Sequence, residues 1–423
     1  MKLTKAQKGW ILFDCGNSAY YLIINTAIFP ILFENVVHNG TTVFGSSIRS
    51  SEALFQLTIS LSYAFIVLLS PILSGIADYS NNKKFFMRMF TTIGAIACFS
   101  LYFFDAQHIE LGLFGAALAM IGFSGSLVFY NAYLPEIATR EEQDKISALG
   151  FSAGYAGSTL LLIAIIAVAA LCEEHELQVY AFGFIAVGLW WLGFAQYTFR
   201  HLPKDEVLKV SLTKALGHGI DELKKVWEQI KKNSVLKKFI ATYFFISMGV
   251  QTLILIAPLF ALHNLKLKTA DLIVIILLMQ AMGIIGAWGT ARLSASKGNF
   301  NALFFPLIIF SVICFAVLFI RDANSFYVLG ALMGLSMGGV QALARSTYSK
   351  LLPETHDHAS FFSFYDIAEK VAITLGTLLT GFIAYATNGA SQYGIVSLSL
   401  LFLTAVILLK FTQIEAQKNG RPI

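Results

Sequence analysis

The sequence predicts an all-α integral membrane protein with twelve transmembrane helices in two six-helix bundles. Three observations carry that expectation. The first is composition: of 423 residues, 57% are hydrophobic and only 13% charged, with a mean hydropathy of +0.69, whereas soluble domains run near ~25% charged. The second is length: twelve apolar runs each reach the ~20 residues a helix needs to cross a bilayer core. The third is repetition. The phrase Tyr-x-x-x-Leu-Pro-Glu opens at Tyr130 and again at Tyr348, 218 residues later. Each copy closes an apolar run, passes through a short charged stretch and opens another run. Two halves with one hydropathy pattern mark a two-bundle carrier rather than a globular enzyme.

The runs fall at 10–36, 52–77, 85–104, 110–133, 146–171, 178–199, 239–262, 271–291, 301–320, 326–349, 360–387 and 392–411. Shifting the third to sixth runs by the repeat length lands within about seven residues of the ninth to twelfth. Lys2, Lys5 and Lys8 precede the first run, and Asp14 and Asn17 lie early within it. Polar residues there suit a signal peptide poorly, so a retained first span is expected. Cys15, Cys98, Cys172 and Cys314 are scattered, with no Cys-x-x-Cys pair. Neither a zinc site nor a disulfide framework is indicated, and no cofactor is expected.

Lys and Arg set the orientation. With both termini on one side, that side holds 25 of the 30, and the other holds Arg49, Lys266, Lys268 and Arg321, with Lys370 inside a span. Both termini are therefore expected in the cytoplasm and the chain in the plasma (inner) membrane. The net charge of +5 marks topology and points to no nucleic acid. The expected organisation is a bundle over 1–200, a cytoplasmic linker over 201–238, and a second bundle with a short tail over 239–423. Within the linker, Leu216, Ile220, Leu223, Trp227 and Ile230 recur at steps of four and three. They form one apolar helical stripe. Asp221 with Lys225 and Glu228 with Lys232 are helix-supporting pairs. The helix is expected along the cytoplasmic lipid surface with its lysines near anionic headgroups.

A charge at mid-span costs roughly 2.5–3.5 kcal/mol on insertion scales, so intramembrane polar groups are the functional pointers. In the first span Asp14, Asn17, Ser18, Tyr21 and Asn25 share one helical face. That stripe reads as a cavity wall, or more plainly as a polar contact between helices. Gln341 and Arg345 are four apart on the tenth span. Asp366 and Lys370 are four apart on the eleventh, with Glu369 adjacent and Thr374 and Thr377 continuing the stripe. Three acids, counting Asp14, face two bases. If they share one region, an acid takes a proton or a cation binds. One of these carboxylates is expected to carry a coupling proton or to meet a substrate ammonium. The plainer reading is a set of structural ion pairs. Gly150, Gly154 and Gly157 on the fifth span point to close helix packing. Pro30, Pro71 and Pro258 mark kinks.

The turn after the second span reads Gly75-Ile-Ala-Asp78-Tyr-Ser-Asn81-Asn82-Lys83-Lys84. It resembles the signature loop of the major facilitator superfamily, a Gly and an acid followed by paired bases. Asn81 or Asn82 stands where that loop carries its turn glycine, and Asn tolerates the left-handed conformation. The resemblance implies a conformational latch at Gly75, Asp78, Lys83 and Lys84. The stretches opening at Trp10, Tyr130, Ile146, Gly338 and Phe361 resemble the vacuole-effluxer-like branch, relatives of the autophagy-related amino-acid effluxer. They lie in both halves. Cys15-Gly16 departs from the branch, which more often shows an aromatic and Ala there. The resemblance implies the major facilitator fold and a secondary transporter, with amino acids as the implied substrate class.

The leading expectation is a secondary active transporter of a small polar or amphipathic solute, working by alternating access and coupled to an ion, the proton first. Candidate cavity residues are Asn17, Tyr21, Asn25, Tyr130, Asn131, Gln251, Gln280 and Gln341. The charge network is Asp14, Arg345, Asp366, Glu369 and Lys370. A metal-ion exporter would use Asp14 and Asn17 as oxygen ligands but needs more oxygens than these. A non-transporting sensor or scaffold would not need intramembrane charges. No His-Glu-x-x-His, Gly-x-Ser-x-Gly or phosphate-binding Gly-x-x-x-x-Gly-Lys occurs, so no enzyme is expected. The expected partners are the solute, the coupling ion and the lipid bilayer, and the expected state is a monomer.

Overall fold

In a bilayer every backbone hydrogen bond must close internally, so the helix is the default for each apolar run. A computed structural model describes all residues except Met1, Asn39, Arg49, 206–211, 388–390 and 421–423. Arg49, Lys209 and Arg421 of the charge count therefore lie outside the described residues. The first span is α1 (Lys5–Ala19), a π-helical segment (Tyr20–Ala27) and α2 (Phe29–Val36). A small hairpin follows, β1 (Thr42–Val43) against β2 (Ser46–Ser47), antiparallel with Thr42 opposite Ser47. Then come α3 (Ser51–Tyr79), α4 (Lys83–Ser100), α5 (Ile109–Ala132), the single turn α6 (Leu134–Ile137), α7 (Gln143–Leu171) and α8 (Glu176–His201). The linker helix α9 (Leu212–Lys232) leads to α10 (Ser234–Asn264), α11 (Thr269–Lys297), α12 (Asn299–Ala316), α13 (Ala323–Leu351), α14 (His358–Ala386) and α15 (Ser391–Lys418).

Twelve of these helices, among the described residues, are long and apolar enough to cross a membrane. The expected spans match them one for one. The helices overrun the hydropathy limits mainly at charged ends, as with Lys5, Lys297 and Lys418. A helix continues past the lipid wherever its backbone bonds continue, and hydropathy stops at the first charge. Caps fix several starts. Thr4 and Gln7 form a reciprocal capping box, with Gln7 N donating to Thr4 Oγ1 at 3.1 Å and Thr4 N to Gln7 Oε1 at 3.0 Å. Asn233 and Asp322 accept from Leu236 N and Ser325 N. The Ser325 N–H holds the Asp322 carboxyl below its ordinary range.

The chain forms two compact units. Unit 1 comprises Met1–Tyr133, Ala153–Leu223 and Asp357–Ser363; unit 2 comprises Leu134–Ser152, Lys224–His356 and Phe364–Ile423. The first turns of α7 therefore belong to unit 2, and the first turn of α14 to unit 1. In unit 1, α4 and α5 approach at Gly94 and Gly122, where a Cβ on Gly122 would strike the Gly94 backbone. A cluster of Phe29, Phe33, Phe55, Phe104 and Phe184 fills one end. In unit 2, Gly334 and Gly338 of α13 lie against Met279 and Gly283 of α11 with no room for a Cβ. Small residues four apart let two membrane helices touch through their backbones.

The turn between α3 and α4 is made by Asn81 at φ 50°, so Asn does substitute for the turn glycine. The linker helix α9 also packs on protein, along a face turned from the predicted stripe. Gly219, Val226 and Ile230 are buried against protein, and Leu223 is half-buried. Ile220 and Trp227 remain exposed. The predicted stripe thus straddles the edge of a protein-facing side. The reason is Gly219, a residue that a hydropathy stripe skips. A Cβ on Gly75 of α3 would strike Gly219 O, so the two glycines let the backbones meet. His218 stacks on Tyr79 at 4.6 Å between ring centroids. The side chain of Leu216 lies outside the described residues.

Candidate substrate and coupling site

In unit 1 the polar residues of α1 meet α5 and α7. The Tyr130 hydroxyl donates to Asp14 Oδ2 at 3.0 Å. Its ring stacks on Trp10 and Phe13 at 4.4 and 5.0 Å, and Trp10 Nε1 donates to Tyr130 O at 2.8 Å. Asp14 and Tyr130 are both buried. Asn17 is fully buried, and its Nδ2 has no hydrogen-bond partner among the described residues. Tyr21 stacks on Phe123 at 5.5 Å. Asn25 is half-buried, with its Oδ1 buried and without a partner among the described residues. Asn131 is half-buried.

The single stripe through these residues assumes α-helical pitch, and the structure corrects that. Across the π-helical segment, Ile28 N donates to Ile23 O at 2.7 Å and Thr26 Oγ1 to Tyr21 O at 2.9 Å, both five-residue steps. The wider turn moves Asn25 off the line through Asp14, Asn17, Ser18 and Tyr21. The other end of that line is a packing surface. A Cβ on Gly154 would strike Ser18 Oγ, and one on Gly157 would strike Cys15 Sγ. Cys15 lies in this seam, and Gly16 thins the neighbouring contact with α8, where a Cβ would touch Phe194 Cβ at 3.0 Å. Gly157→Val is accordingly expected to cost about 1–3 kcal/mol by overpacking, read as a lower thermal midpoint of the purified protein, with Gly193→Ala, which meets nothing, as the silent control.

In unit 2 the acids gather around one lysine. Lys370 Nζ donates to Asp366 Oδ1 at 2.7 Å and to Glu369 Oε2 at 3.0 Å. Glu369 Oε1 accepts from Gln251 Nε2 of α10 at 2.9 Å. Asp366 Oδ2 is buried with no partner among the described residues. The Lys370 and Asp366 side chains are 5% and 7% exposed, and Glu369 is 21% exposed. Tyr243 and Tyr365 stack at 3.8 Å beside them, with Tyr348 at 4.8 Å from Tyr365. Gln280 is buried and Gln341 half-buried on α11 and α13. Arg345, expected in this cluster, bonds the first turns of α7. Its Nε and Nη2 donate to Ser147 Oγ and Ser147 O at 2.9 and 3.0 Å, and its guanidinium lies 4.1 Å from the Phe151 ring centroid. Its position four residues after Gln341 placed it on the right helix but could not show that the first turn of α7 reaches it.

Two further polar seams lie at helix ends, one in each unit. In unit 1, Asp78 at the end of α3 accepts from Ala359 N and Ser360 N at 3.2 and 2.7 Å. These are orphan donors at the start of α14, where the helix dipole also favours an anion. Lys84 Nζ donates to Leu202 O, Lys84 N to Asp205 Oδ2, and Lys83 lies over the Tyr133 ring. In unit 2, Asp144 of α7 accepts from Lys350 Nζ at 2.6 Å, Ser294 Oγ at 2.9 Å and Asn299 Nδ2 at 2.8 Å. Asp144, Lys350, Tyr243 and Tyr365 were not singled out from the sequence. Lys350 was counted only for topology, though its place two residues after Tyr348 of the repeat was the available signal.

The chain matches the family described as vacuole effluxer Atg22 like over residues 3–421. The chain belongs to that family. It is 30% identical to an uncharacterized MFS-type transporter YxiO of Bacillus subtilis over 100% of this chain and 99% of the relative. It is 25% identical to Autophagy-related protein 22 of Kluyveromyces lactis over 98% and 94% of the two. The fold resembles the human organic anion transporter MFSD10 with TM-score 0.75, 12% identity and coverage of 96% and 99%. It also resembles the E. coli fucose:proton symporter with TM-score 0.65, 12% identity and coverage of 96% and 97%. This Atg22-like chain is thus a twelve-span membrane transporter of the major facilitator superfamily.

Proposed function

We propose that the chain is a proton-coupled secondary transporter of a small amphipathic solute, amino acids being the first class to test, and that it has no enzymatic activity. Its place is the plasma (inner) membrane with both termini in the cytoplasm, where the basic residues concentrate. The observation that carries the reading is the Asp366–Lys370–Glu369 cluster inside a spanning helix. Two carboxylates share one lysine, and Asp366 Oδ2 has no partner among the described residues. A group that must stay buried while unbalanced in charge gains from a proton or a bound cation. The Asp78 seam and the Asp144–Lys350 seam serve as latches at the cytoplasmic helix ends. Alternating access requires them to open and re-form in each cycle. The kinship with Autophagy-related protein 22 supports the family reading, and the likeness to a fucose:proton symporter adds the fold alone.

The test is purified protein in liposomes, screened for thermal stabilisation by amino acids, sugars, nucleosides and metal ions. A stabilising solute is then assayed for flux with and without a pH gradient. An inward-acid gradient is expected to change the flux at least about tenfold in the parent, and Asp366→Asn to remove that response. Flux indifferent to the gradient, with Asp14→Asn and Asp366→Asn fully active, overturns proton coupling.

A further inference from the structure

The linker helix α9 presents three faces. The inner one, Gly219, Leu223, Val226 and Ile230, lies against protein. The outer one carries Asp221, Lys225, Glu228 and Lys232, all exposed. Between them runs a strip at steps of four, three and four: Ile220, Lys224, Trp227 and Lys231. Ile220 and Trp227 are 43% and 46% exposed. The Lys231 ammonium sits 5.3 Å from the Trp227 ring centroid and bonds Glu228 at 2.9 Å. That ion pair is exposed on both sides and readily exchanged.

The surroundings of Trp227 say what covers the strip. Its indole stacks on Phe364 at 5.5 Å. Phe364 begins a row on α14 that continues through Val371, Leu375, Leu378, Phe382 and Tyr385. Every residue after Phe364 in that row is apolar or aromatic and exposed, Leu378 by 63% and Phe382 by 70%. An exposed apolar row along a spanning helix faces lipid tails. Trp227 therefore stands where the lipid-facing row ends and the headgroup layer begins, the depth that Trp favours. A strip of two apolar residues alternating with two lysines matches that boundary: tails on one side, phosphates on the other.

We propose that the Ile220–Lys224–Trp227–Lys231 strip binds the headgroups of anionic phospholipids. Ile220 and Trp227 enter the acyl boundary, and Lys224 and Lys231 meet the negative charge. Gly219, on the neighbouring face, rests on Gly75, one turn before Asp78. Lipid held on the strip thus sets the position of α9 beside the Asp78 latch.

The full-length protein in phosphatidylcholine nanodiscs, with a third of the lipid replaced by a brominated species, tests this. The signal of Trp227 is isolated by subtracting the Trp227→Phe variant. Brominated phosphatidylglycerol is expected to quench Trp227 several-fold more than brominated phosphatidylcholine. Each lysine contributes about fivefold to local enrichment, so Lys224→Gln with Lys231→Gln equalises the two lipids while leaving Trp227 quenched. Salt near about 1 M does the same. Equal quenching by both lipids in the parent overturns the preference for anionic headgroups. No quenching by either overturns the membrane contact. Unchanged gel-filtration profiles of the variants keep misfolding out of the comparison.

Discussion

Lys370→Met is expected to destabilise the protein by about 3–5 kcal/mol, because it leaves two carboxylates inside a spanning helix with their shared cation gone. The parent cluster is tight: the Lys370 bonds to Asp366 and Glu369 are 3.0 Å or shorter, and Glu369 also accepts from Gln251. The decisive comparison is the double variant Lys370→Met with Asp366→Asn. It removes one buried negative charge along with the positive one, so most of the stability should return. Thermal unfolding in nanodiscs reads both values. The double variant is also expected to bind solute while losing its response to a pH gradient. A single variant as stable as the parent would show that the acids are already neutral or solvated, and the coupling role of the cluster would fall.

Asp78→Ala carries the second large effect. It removes a charged acceptor from two N–H groups at the start of α14. Hydrogen bonds to charged groups contribute about 1.5–3 kcal/mol each. Even the lower figure for the pair shifts the closed-to-open ratio of that seam by roughly a hundredfold. Ser363 is fully buried in α14. In a chain freed of its four native cysteines, a thiol at Ser363 should label about a hundredfold faster once Asp78 is Ala. Asp78→Asn, keeping one oxygen acceptor, should fall between. Labelling unmoved by Asp78→Ala would mean that the seam is held by other contacts.

The twelve spans were legible because each is a long apolar run and a bilayer leaves the backbone no alternative to the helix. Asn81 was legible for a local reason: a turn needing positive φ accepts few residues besides Gly and Asn. The Asp366–Glu369–Lys370 cluster was legible because its members lie within one turn of α14. What escaped had long sequence separation. Arg345 and Ser147 are 198 positions apart, and Asp144 and Lys350 are 206 apart. Nothing in a stripe or a motif announces which distant helix end a side chain will meet. The π-helical segment escaped for another reason. Periodicity assumes one pitch, and Tyr20–Ala27 changes it in the middle of an unbroken apolar run. Gly219 escaped because contact through a missing side chain leaves no hydropathy signal.

The Asp144–Lys350 bond also imposes an order on biosynthesis. A ribosome adds about 5–20 residues per second, so the 206 positions between the partners correspond to roughly 10–40 s of elongation. During that interval the first six spans can already be threaded into the bilayer. The start of α7 meanwhile leaves Asp144 and Ser147 without these partners, because α13 with Lys350 and Arg345 has not been made. The nascent half-protein is therefore unfinished at this rim until the tenth span arrives, and a chain cut at the linker would keep that rim open in both fragments until they met.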